Sequence, residues 1–262
     1  EQQSVFEGQT WNGDYSFVNI SNEVFADSLT VRYELKDAQS FVTTTALMKI
    51  HAPAPGDTTR FTVPFATLEH DGLNNAEVFV NPRVLSEVNY DNNVLVLNNH
   101  LNVITDGTNP VLDITVDGRH IARDEFISST PDIKIMLWDD NRYLLKKDTL
   151  GMTLLMAYPC ENEACDFKRI YFSSPEITWQ AETDTSEFKV NFNPAALTDG
   201  KYILRVEGKD VNGNSSGPSP YEIVFQVKGE TTVVLQAAYP NPFNDQTHFE
   251  FTVTGQELPS AF

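Results

Sequence analysis

Apolar and polar residues alternate over short stretches along most of this chain. The clearest alternation covers residues 29–35, where apolar side chains stand at every second position: Leu29, Val31, Tyr33 and Leu35. Because successive side chains of a β-strand point to opposite faces, this period of two predicts strands with one buried face. Similar segments recur with Gly, Pro, Asn and Asp between them, and no segment shows a helical period over about 11 residues. The pattern therefore predicts an all-β sandwich protein.

The stretch from Ile104 to Ile121 marks the boundary between two predicted domains. Asp106-Gly107 and Asn109-Pro110 are turn and breaker pairs that are typical of a linker. An alternating strand over 112–116 follows, and Asp117-Gly118 is the residue pair that a tight hairpin turn prefers. Further alternating segments follow. We therefore predict two tandem immunoglobulin-like β-sandwiches, at residues 1–105 and 106–229, and a separate segment at residues 230–262.

Composition and charge narrow the range of partners. The 262 residues are 40% hydrophobic and 11% aromatic, which is enough for buried cores. Lys and Arg total 18 against 37 Asp and Glu, so the net charge of −19 would repel a nucleic-acid backbone or an anionic lipid surface. No window approaches about 18 uncharged apolar residues, so we expect no membrane span. The chain opens with Glu1 and has no charged-then-apolar leader, so we expect a piece of a longer precursor.

Two clusters of oxygen-bearing side chains are candidates for binding calcium, and we expect no other cofactor. Asp210, Asn212 and Asn214 stand at every second position, as at the start of an EF-hand loop. The closing position of such a loop, where a bidentate Glu belongs, falls on Tyr221, so a hairpin turn is the favoured alternative. The second cluster precedes the last strand of the first domain, and a loop of turn-forming side chains is favoured there. Its members are Glu87, Asn89, Asp91, Asn92 and Asn93.

The remaining candidate residues point to structure more than to catalysis. Cys160 and Cys165 are the only cysteines, and in a secreted chain we expect them to form a disulfide across a hairpin tip. Closing so short a loop stabilises the fold by only about 2 kcal/mol on the entropy model. The five histidines lack the spacing of a metalloprotease, and the sequence has no nucleophile elbow or phosphate loop. Trp138 is expected to pack at a strand end, whereas Trp11 and Trp179 fit burial and exposure equally well.

Three parts of the chain resemble known families. The first domain resembles the CARDB-type immunoglobulin-like modules of bacterial surface proteins in three runs, Asn19–Asn22, Asn75–Pro82 and Glu87–Asn93. The run Asn109–Ile121, with parts of the following 30 residues, resembles the region before the sorting domain in gingipain-like (PorU-like) cysteine peptidases. A motif in the tail, together with Thr247 and a predicted strand after it, resembles the opening of the sorting domain of type IX secretion cargo in Bacteroidetes. Its motif residues are Tyr239, Pro240, Asn241, Pro242, Phe243 and Asn244.

These resemblances imply a place in a larger protein rather than an activity. The catalytic pair of that peptidase family is a His followed by Gly and a separate Cys, and no His in this sequence is followed by Gly. The implied role is a non-catalytic stalk, downstream of a peptidase module and joined to the first strands of a truncated sorting domain. The implied partners are the type IX secretion machinery and upstream domains of the same chain. The implied location is extracellular or at the outer-membrane surface.

Two further expectations follow from the residues. The alternative function is a carbohydrate-binding or adhesive module that contacts glycans through Trp11 or Trp179 and neighbouring carboxylates. An isolated hairpin is marginal in water, so ordered strands within residues 231–262 are expected to extend a sheet of the second domain or of a neighbouring molecule.

Overall fold

The computed structural model describes residues 2–25, 28–160, 166–229, 232–235 and 237–254. These residues form strands, turns and one 3₁₀ turn at Asp91–Asn93, and they include no α-helix. The predicted all-β class is therefore confirmed. No helix in this described part has the length and apolar character that a membrane crossing requires. The chain divides into two compact units, Glu1–Asp106 and Gly107–Phe262, here named the first unit and the second unit.

The strand boundaries follow the alternating segments of the sequence. The first unit contains β1 (Gln3–Phe6), β2 (Trp11–Val18), β3 (Ser28–Asp37), β4 (Thr43–His51), β5 (Thr58–Phe65), β6 (Gly72–Val80) and β7 (Val94–Ile104). The second unit contains β8 (Val111–Val116), β9 (Glu125–Ile127), β10 (Ile133–Trp138), β11 (Thr153–Ala157), β12 (Phe167–Ile170), β13 (Ile177–Gln180), β14 (Phe188–Phe192), β15 (Gly200–Glu207), β16 (Tyr221–Val227), β17 (Thr232–Leu235) and β18 (Phe251–Thr254).

The first unit is an uneven sandwich of a five-stranded and a two-stranded sheet. The larger sheet has the order β1-β7-β6-β3-β4, and the smaller one pairs β2 with β5. Among the described strands of this unit, β1 alone runs parallel to its neighbour: Gln3 lies opposite Leu101 and Phe6 lies opposite Ile104 in β7. Both sheets contribute to one buried core, in which Trp11 of β2 stacks on Phe65 of β5 with the ring centroids 4.9 Å apart. Tyr33 of β3 meets Phe65 edge-on, so aromatic contacts join the two layers.

The second unit is a fuller sandwich. Its sheets have the orders β13-β14-β10-β8 and β12-β11-β15-β16-β9, and the inward-facing residues of both form one core. Phe188, Phe192 and Phe225 are completely or almost completely buried in it. The buried Tyr202 donates its hydroxyl to the Thr198 carbonyl oxygen at 2.9 Å, which resembles the tyrosine corner of immunoglobulin-like folds.

The predicted tight turn at Asp117-Gly118 is present. Both residues have positive φ, of 51° and 80°, and the backbones of Val116 and Arg119 bond to each other across the turn. The turn ends β8 and is closed by the bridge between Val116 and Arg119, and the next strand, β9, belongs to the other sheet. The local sequence favours this turn, and Asp132 supports it: the Asp117 N–H donates to the Asp132 carbonyl oxygen at 2.8 Å, and the Asp132 N–H donates to Asp117 Oδ1 at 2.9 Å.

The described strands of the tail do not extend a sheet of the second unit, so that part of the expectation is wrong, and pairing with a neighbouring molecule stays a prediction. β17 and β18 pair with each other in an antiparallel two-stranded sheet, in which Val233 lies opposite Val253. β18 lies beside β9 of the second unit without joining its sheet. Pairing between strands that are close in sequence has a low cost of loop closure, which explains why local pairing is favoured.

Candidate functional site

A cleft of about 750 Å³ opens on the first unit, and we call it the end cleft. One wall is formed by residues within 17–25, at the end of β2 and beyond, and the other by residues within 85–93, before β7. The floor side chains, Phe17, Phe25 and Leu85, pack against the core of the unit. The cleft therefore lies on a fixed base and has a volume typical of ligand sites.

Hydrogen bonds of two buried amides hold the walls of the end cleft in place. Asn19 Nδ2 donates to the Glu23 carbonyl oxygen at 2.9 Å, and Asn19 Oδ1 accepts the Ser21 backbone N–H at 3.0 Å. On the other wall, Asn81 Nδ2 donates to the Leu85 carbonyl oxygen at 2.9 Å, and Asn81 Oδ1 accepts the Leu85 N–H at 2.7 Å. Satisfied buried polar groups make a loop rigid, so the cleft is preformed.

The predicted cation cluster of the first unit lies at the end cleft. The Glu87 carboxylate accepts hydrogen bonds from the side-chain amides of Asn81 and Asn93, the second at 2.9 Å. Asn89 Oδ1 accepts the Asp91 N–H at 2.9 Å. These oxygens bind groups of their own loop, which favours the loop-forming alternative over calcium. Glu23 and Glu87 leave the cleft acidic, because no Lys or Arg is among the described residues that line it.

The predicted calcium ligands Asp210, Asn212 and Asn214 lie in the hairpin between β15 and β16. Asp210 Oδ1 accepts the backbone N–H of Asn214 at 2.8 Å, and Asp210 Oδ2 accepts Asn214 Nδ2 at 2.7 Å. A backbone bridge between Lys209 and Ser215 closes the hairpin. Both carboxylate oxygens of Asp210 are thus engaged by the turn itself, and calcium binding by these three residues stays a prediction.

A buried pair of charged residues lies near this hairpin. The Lys146 backbone N–H donates to Glu182 Oε2 at 2.8 Å, and the Lys146 ammonium donates to the Leu150 carbonyl oxygen at 2.5 Å. Burial lowers the pKa of Lys146, although Asp148, Asp210 and Glu182 partly oppose that shift. Burial also raises the pKa of Glu182. Since their polar atoms bond to the backbone of neighbouring loops, these two residues fasten the loops together and leave little reactive surface.

A second buried polar network lies in the first unit, around Asp37 and His70. Asp37 Oδ1 accepts the backbone N–H groups of Gln39 at 2.6 Å and Ser40 at 2.8 Å, and Asp37 Oδ2 accepts that of Asp71 at 3.3 Å. His70 is buried, and its two ring nitrogens lie 2.8 Å from Thr44 Oγ1 and from Asn74 Oδ1. Burial raises the pKa of Asp37, but the hydrogen bonds from Ser40, Gln39 and Asp71 outweigh it and leave that pKa below 3.8.

We predict that Asp37→Ala destabilises the first unit by about 2–3 kcal/mol, because three backbone N–H groups lose their acceptor. A carboxyl whose pKa is lowered by folding stabilises the protein above its ordinary pKa, and this stabilisation is lost as the pH falls through the folded value. Urea unfolding from pH 7 to pH 2 should therefore show a decline below pH 3.8 that Asp37→Ala reduces. The control is Asp57→Ala, because Asp57 is exposed. Equal stability of both variants at pH 7 would contradict the prediction.

The three tryptophans have different environments. Trp11 is only 5% exposed, and its Nε1 donates to Gln3 Oε1 at 2.6 Å, so it is not available as a sugar-stacking platform. Trp179 is 39% exposed on the edge strand β13, where its ring stacks against Phe188. Trp138 lies at the end of β10 and is 36% exposed. Of the two candidate glycan contacts, only Trp179 presents part of its ring to solvent.

The predicted disulfide falls partly outside the described residues. Cys160 is disulfide-bonded and follows β11 by three residues. Cys165 lies outside the described residues, so the pairing of Cys160 with Cys165 stays a prediction.

The tail motif from Tyr239 to Asn244 forms a loop closed by local pairing. The Tyr239 N–H donates to the His248 carbonyl oxygen at 3.1 Å, and the His248 N–H donates to the Tyr239 carbonyl oxygen at 2.9 Å. Thr247 Oγ1 donates to the Pro240 carbonyl oxygen at 2.9 Å. The side chains of Tyr239 and Phe243 are 79% and 56% exposed. The motif therefore presents its aromatic residues at the surface.

The protein is all-β and is built from immunoglobulin-like β-sandwiches. This class follows from its strands, the order of its sheets and the separate buried core of each unit. No family model matches the chain, and no curated protein matches it either.

Among solved structures, the chain is similar to part of dimeric latent PorU from Porphyromonas gingivalis, with 13% identity and a TM-score of 0.34. The match covers 96% of this chain and 25% of that one, so the present chain spans about a quarter of PorU. A titin fragment matches at 10% identity, with coverage of 87% and 94% and a TM-score of 0.24. The FN1–FN3 domains of chicken CNTN1 match at 11% identity, with coverage of 86% and 68% and a TM-score of 0.24. All these scores are low, so the fold class rests on the strands themselves.

Sequence reasoning missed the end cleft, although a signal for it exists. Ile20, Val24 and Val88 are aliphatic residues within segments that otherwise consist of turn-forming residues. Val24 and Val88 have no apolar partner two positions away on either side that would indicate a buried strand face, apart from Ala26 and Tyr90, and Ile20 has only Val18. In the structure all three are exposed and line the cleft.

Proposed function

We propose that this chain is a non-catalytic stalk or spacer region of a large protein exported by the type IX secretion system to the cell surface or the medium. Residues 230–262 are then the first part of its sorting domain, and the CARDB-like first unit and the second unit separate that domain from a gingipain-like peptidase module upstream. The proposed partners are the type IX machinery and the upstream domains of the same protein.

The geometry of the tail motif is the observation that carries this proposal. A locally paired loop with exposed Tyr239 and Phe243 can be contacted by an export factor without opening either sandwich. Exposed aromatic side chains are frequent anchors in protein recognition, because they bury a large area at little entropic cost.

The arrangement of buried charges supports the structural role. Asp37, Lys146 and Glu182 all bond to backbone groups of neighbouring loops. Groups used in this way hold a sandwich together, whereas a catalytic site needs groups that converge on an accessible reacting atom. These bonds suit a rigid spacer.

The export role can be tested with the full reading frame that contains this chain, expressed in a type IX-competent host. We predict that Phe243→Ala combined with Tyr239→Ala lowers the amount of protein at the cell surface and in the medium at least tenfold, because the motif loses its exposed aromatic contacts. Immunoblots of periplasmic, surface and medium fractions measure the effect.

The control for this experiment is Tyr171→Ala, which removes an exposed aromatic side chain of the second unit outside the motif. It should be exported like the parent protein. Export of the motif variant at the parental level, or an equal loss in the control, would refute the sorting role.

A further inference from the structure

We propose that the end cleft is a binding site for an extended peptide segment of a partner protein, in which an aliphatic side chain stands next to Lys or Arg. The cleft belongs to the first unit, whereas the tail motif belongs to the second. The inference therefore stands whether or not the export proposal is correct.

Aliphatic side chains around the cleft supply the apolar part of this site. Val18, Ile20, Val24 and Val88 are all exposed, and all line the same cleft above a floor of partly buried Phe17 and Phe25. Isolated exposed aliphatic residues are ordinary on protein surfaces, but several gathered around one concave surface mark an interaction site. An aliphatic side chain that enters the cleft would remove these groups from water.

The charge of the lining determines the second part of the ligand. Glu23 and Glu87 are the charged residues among the described lining, and the groups bonded to the Glu87 carboxylate are neutral amides. Neutral donors leave the negative charge in place. A cationic side chain beside the cleft is therefore attracted, while fatty acids, anionic lipids and phosphate esters are repelled.

An open sheet edge favours a peptide over a small amine. In the described part of the chain β2 pairs only with β5, so the other edge of β2 has no partner strand. The last residues of β2, Phe17 and Val18, line the cleft. An extended segment can thus bond to the β2 backbone while its side chains reach the cleft, which is the β-augmentation mode of peptide recognition.

The fixed walls make such binding efficient. Asn19 and Asn81 are buried and hold the two walls through several hydrogen bonds each. A preformed cleft loses little conformational entropy when it takes up a ligand.

The test begins with selection of a phage-displayed random heptapeptide library on the full chain. Sequences that pair an aliphatic residue with Lys or Arg are expected to be enriched. The enriched peptides, made with a fluorescent label, are then titrated with the chain and followed by anisotropy. We expect saturable binding that weakens as salt is added, because part of the attraction is electrostatic.

Two substitutions at exposed positions separate cleft binding from other binding. Val24→Asp and Val88→Asp each place a charge among the aliphatic side chains and should weaken binding at least tenfold, without loss of folding because both residues are exposed. The matched control Leu47→Asp changes an exposed aliphatic residue of β4 outside the cleft lining and should bind like the parent chain.

Several results would overturn the proposal. These are failure to enrich any sequence, enrichment of acidic peptides, and an equal effect of Leu47→Asp. Concentration-dependent dimerisation in sedimentation that Val88→Asp abolishes would instead assign the cleft to a second copy of this chain.

Discussion

Replacement of Trp11 by Ala is expected to destabilise the first unit by about 3–5 kcal/mol, the usual cost of deleting a large buried aromatic side chain. The indole is 5% exposed, stacks on Phe65 and donates a hydrogen bond to Gln3. Ala would leave a cavity between the two sheets and remove the stacking contact. Urea unfolding followed by circular dichroism measures the change, and hydrogen exchange of the β2 and β5 amides assigns it to this unit.

Two variants make the Trp11 result specific. Trp11→Phe keeps an aromatic ring against Phe65, so it should restore much of the lost stability. Trp179→Ala removes a residue that is 39% exposed on an edge strand and should cost clearly less than Trp11→Ala. If Trp11→Ala unfolds at the same urea concentration as the parent chain, the buried position of this residue is wrong.

The different burial of Trp11 and Trp179 determines which variant can test glycan binding. Loss of sugar binding in Trp11→Ala would report damage to the fold, because this side chain is buried. Trp179→Ala is the informative variant for the carbohydrate-binding alternative, since part of its ring faces solvent. Saturable binding on a glycan array that Trp179→Ala abolishes would favour that alternative over the stalk.

Phe188→Ala is expected to destabilise the second unit by about 3–5 kcal/mol. The ring is completely buried, with Trp179 stacked against it and the Lys146 ammonium 5.7 Å from its centroid. Its removal would open a cavity and take away the aromatic face beside a buried cation. At about 2–4 °C per kcal/mol for a unit of this size, the melting temperature should fall by about 10 °C.

Calorimetry of the full chain, with hydrogen exchange at β10 and β14, measures the Phe188 effect. Phe188→Leu keeps most of the side-chain volume and should lose less than half as much stability. Tyr171→Ala, at an exposed position of the same unit, should leave the melting temperature unchanged. Equal melting temperatures of Phe188→Ala and Tyr171→Ala would contradict the burial of Phe188 in the core of the second unit.

The candidate sites show the limits of reasoning from spacing. Asp210 and Asn214 are close in sequence, and their mutual bonds agree with the hairpin alternative that the missing Glu had already favoured. The end cleft needs two segments about 60 residues apart in the chain, and no local pattern records that they meet.

The sequence alone locates most of the longer strands, because the alternation of side chains across a strand appears directly as a period of two. It does not reveal the short edge strands β1, β9 and β13, which have only three or four residues each. The sequence also favours the turn at Asp117-Gly118, since positive φ is a local demand on residue type. The parallel pairing of β1 with β7, the burial of Trp11 and the partial exposure of Trp179 could not be read from the sequence and are seen only in the folded chain. Strand pairing and burial depend on contacts between residues far apart in the chain. No short segment of the sequence determines the free energy of those contacts.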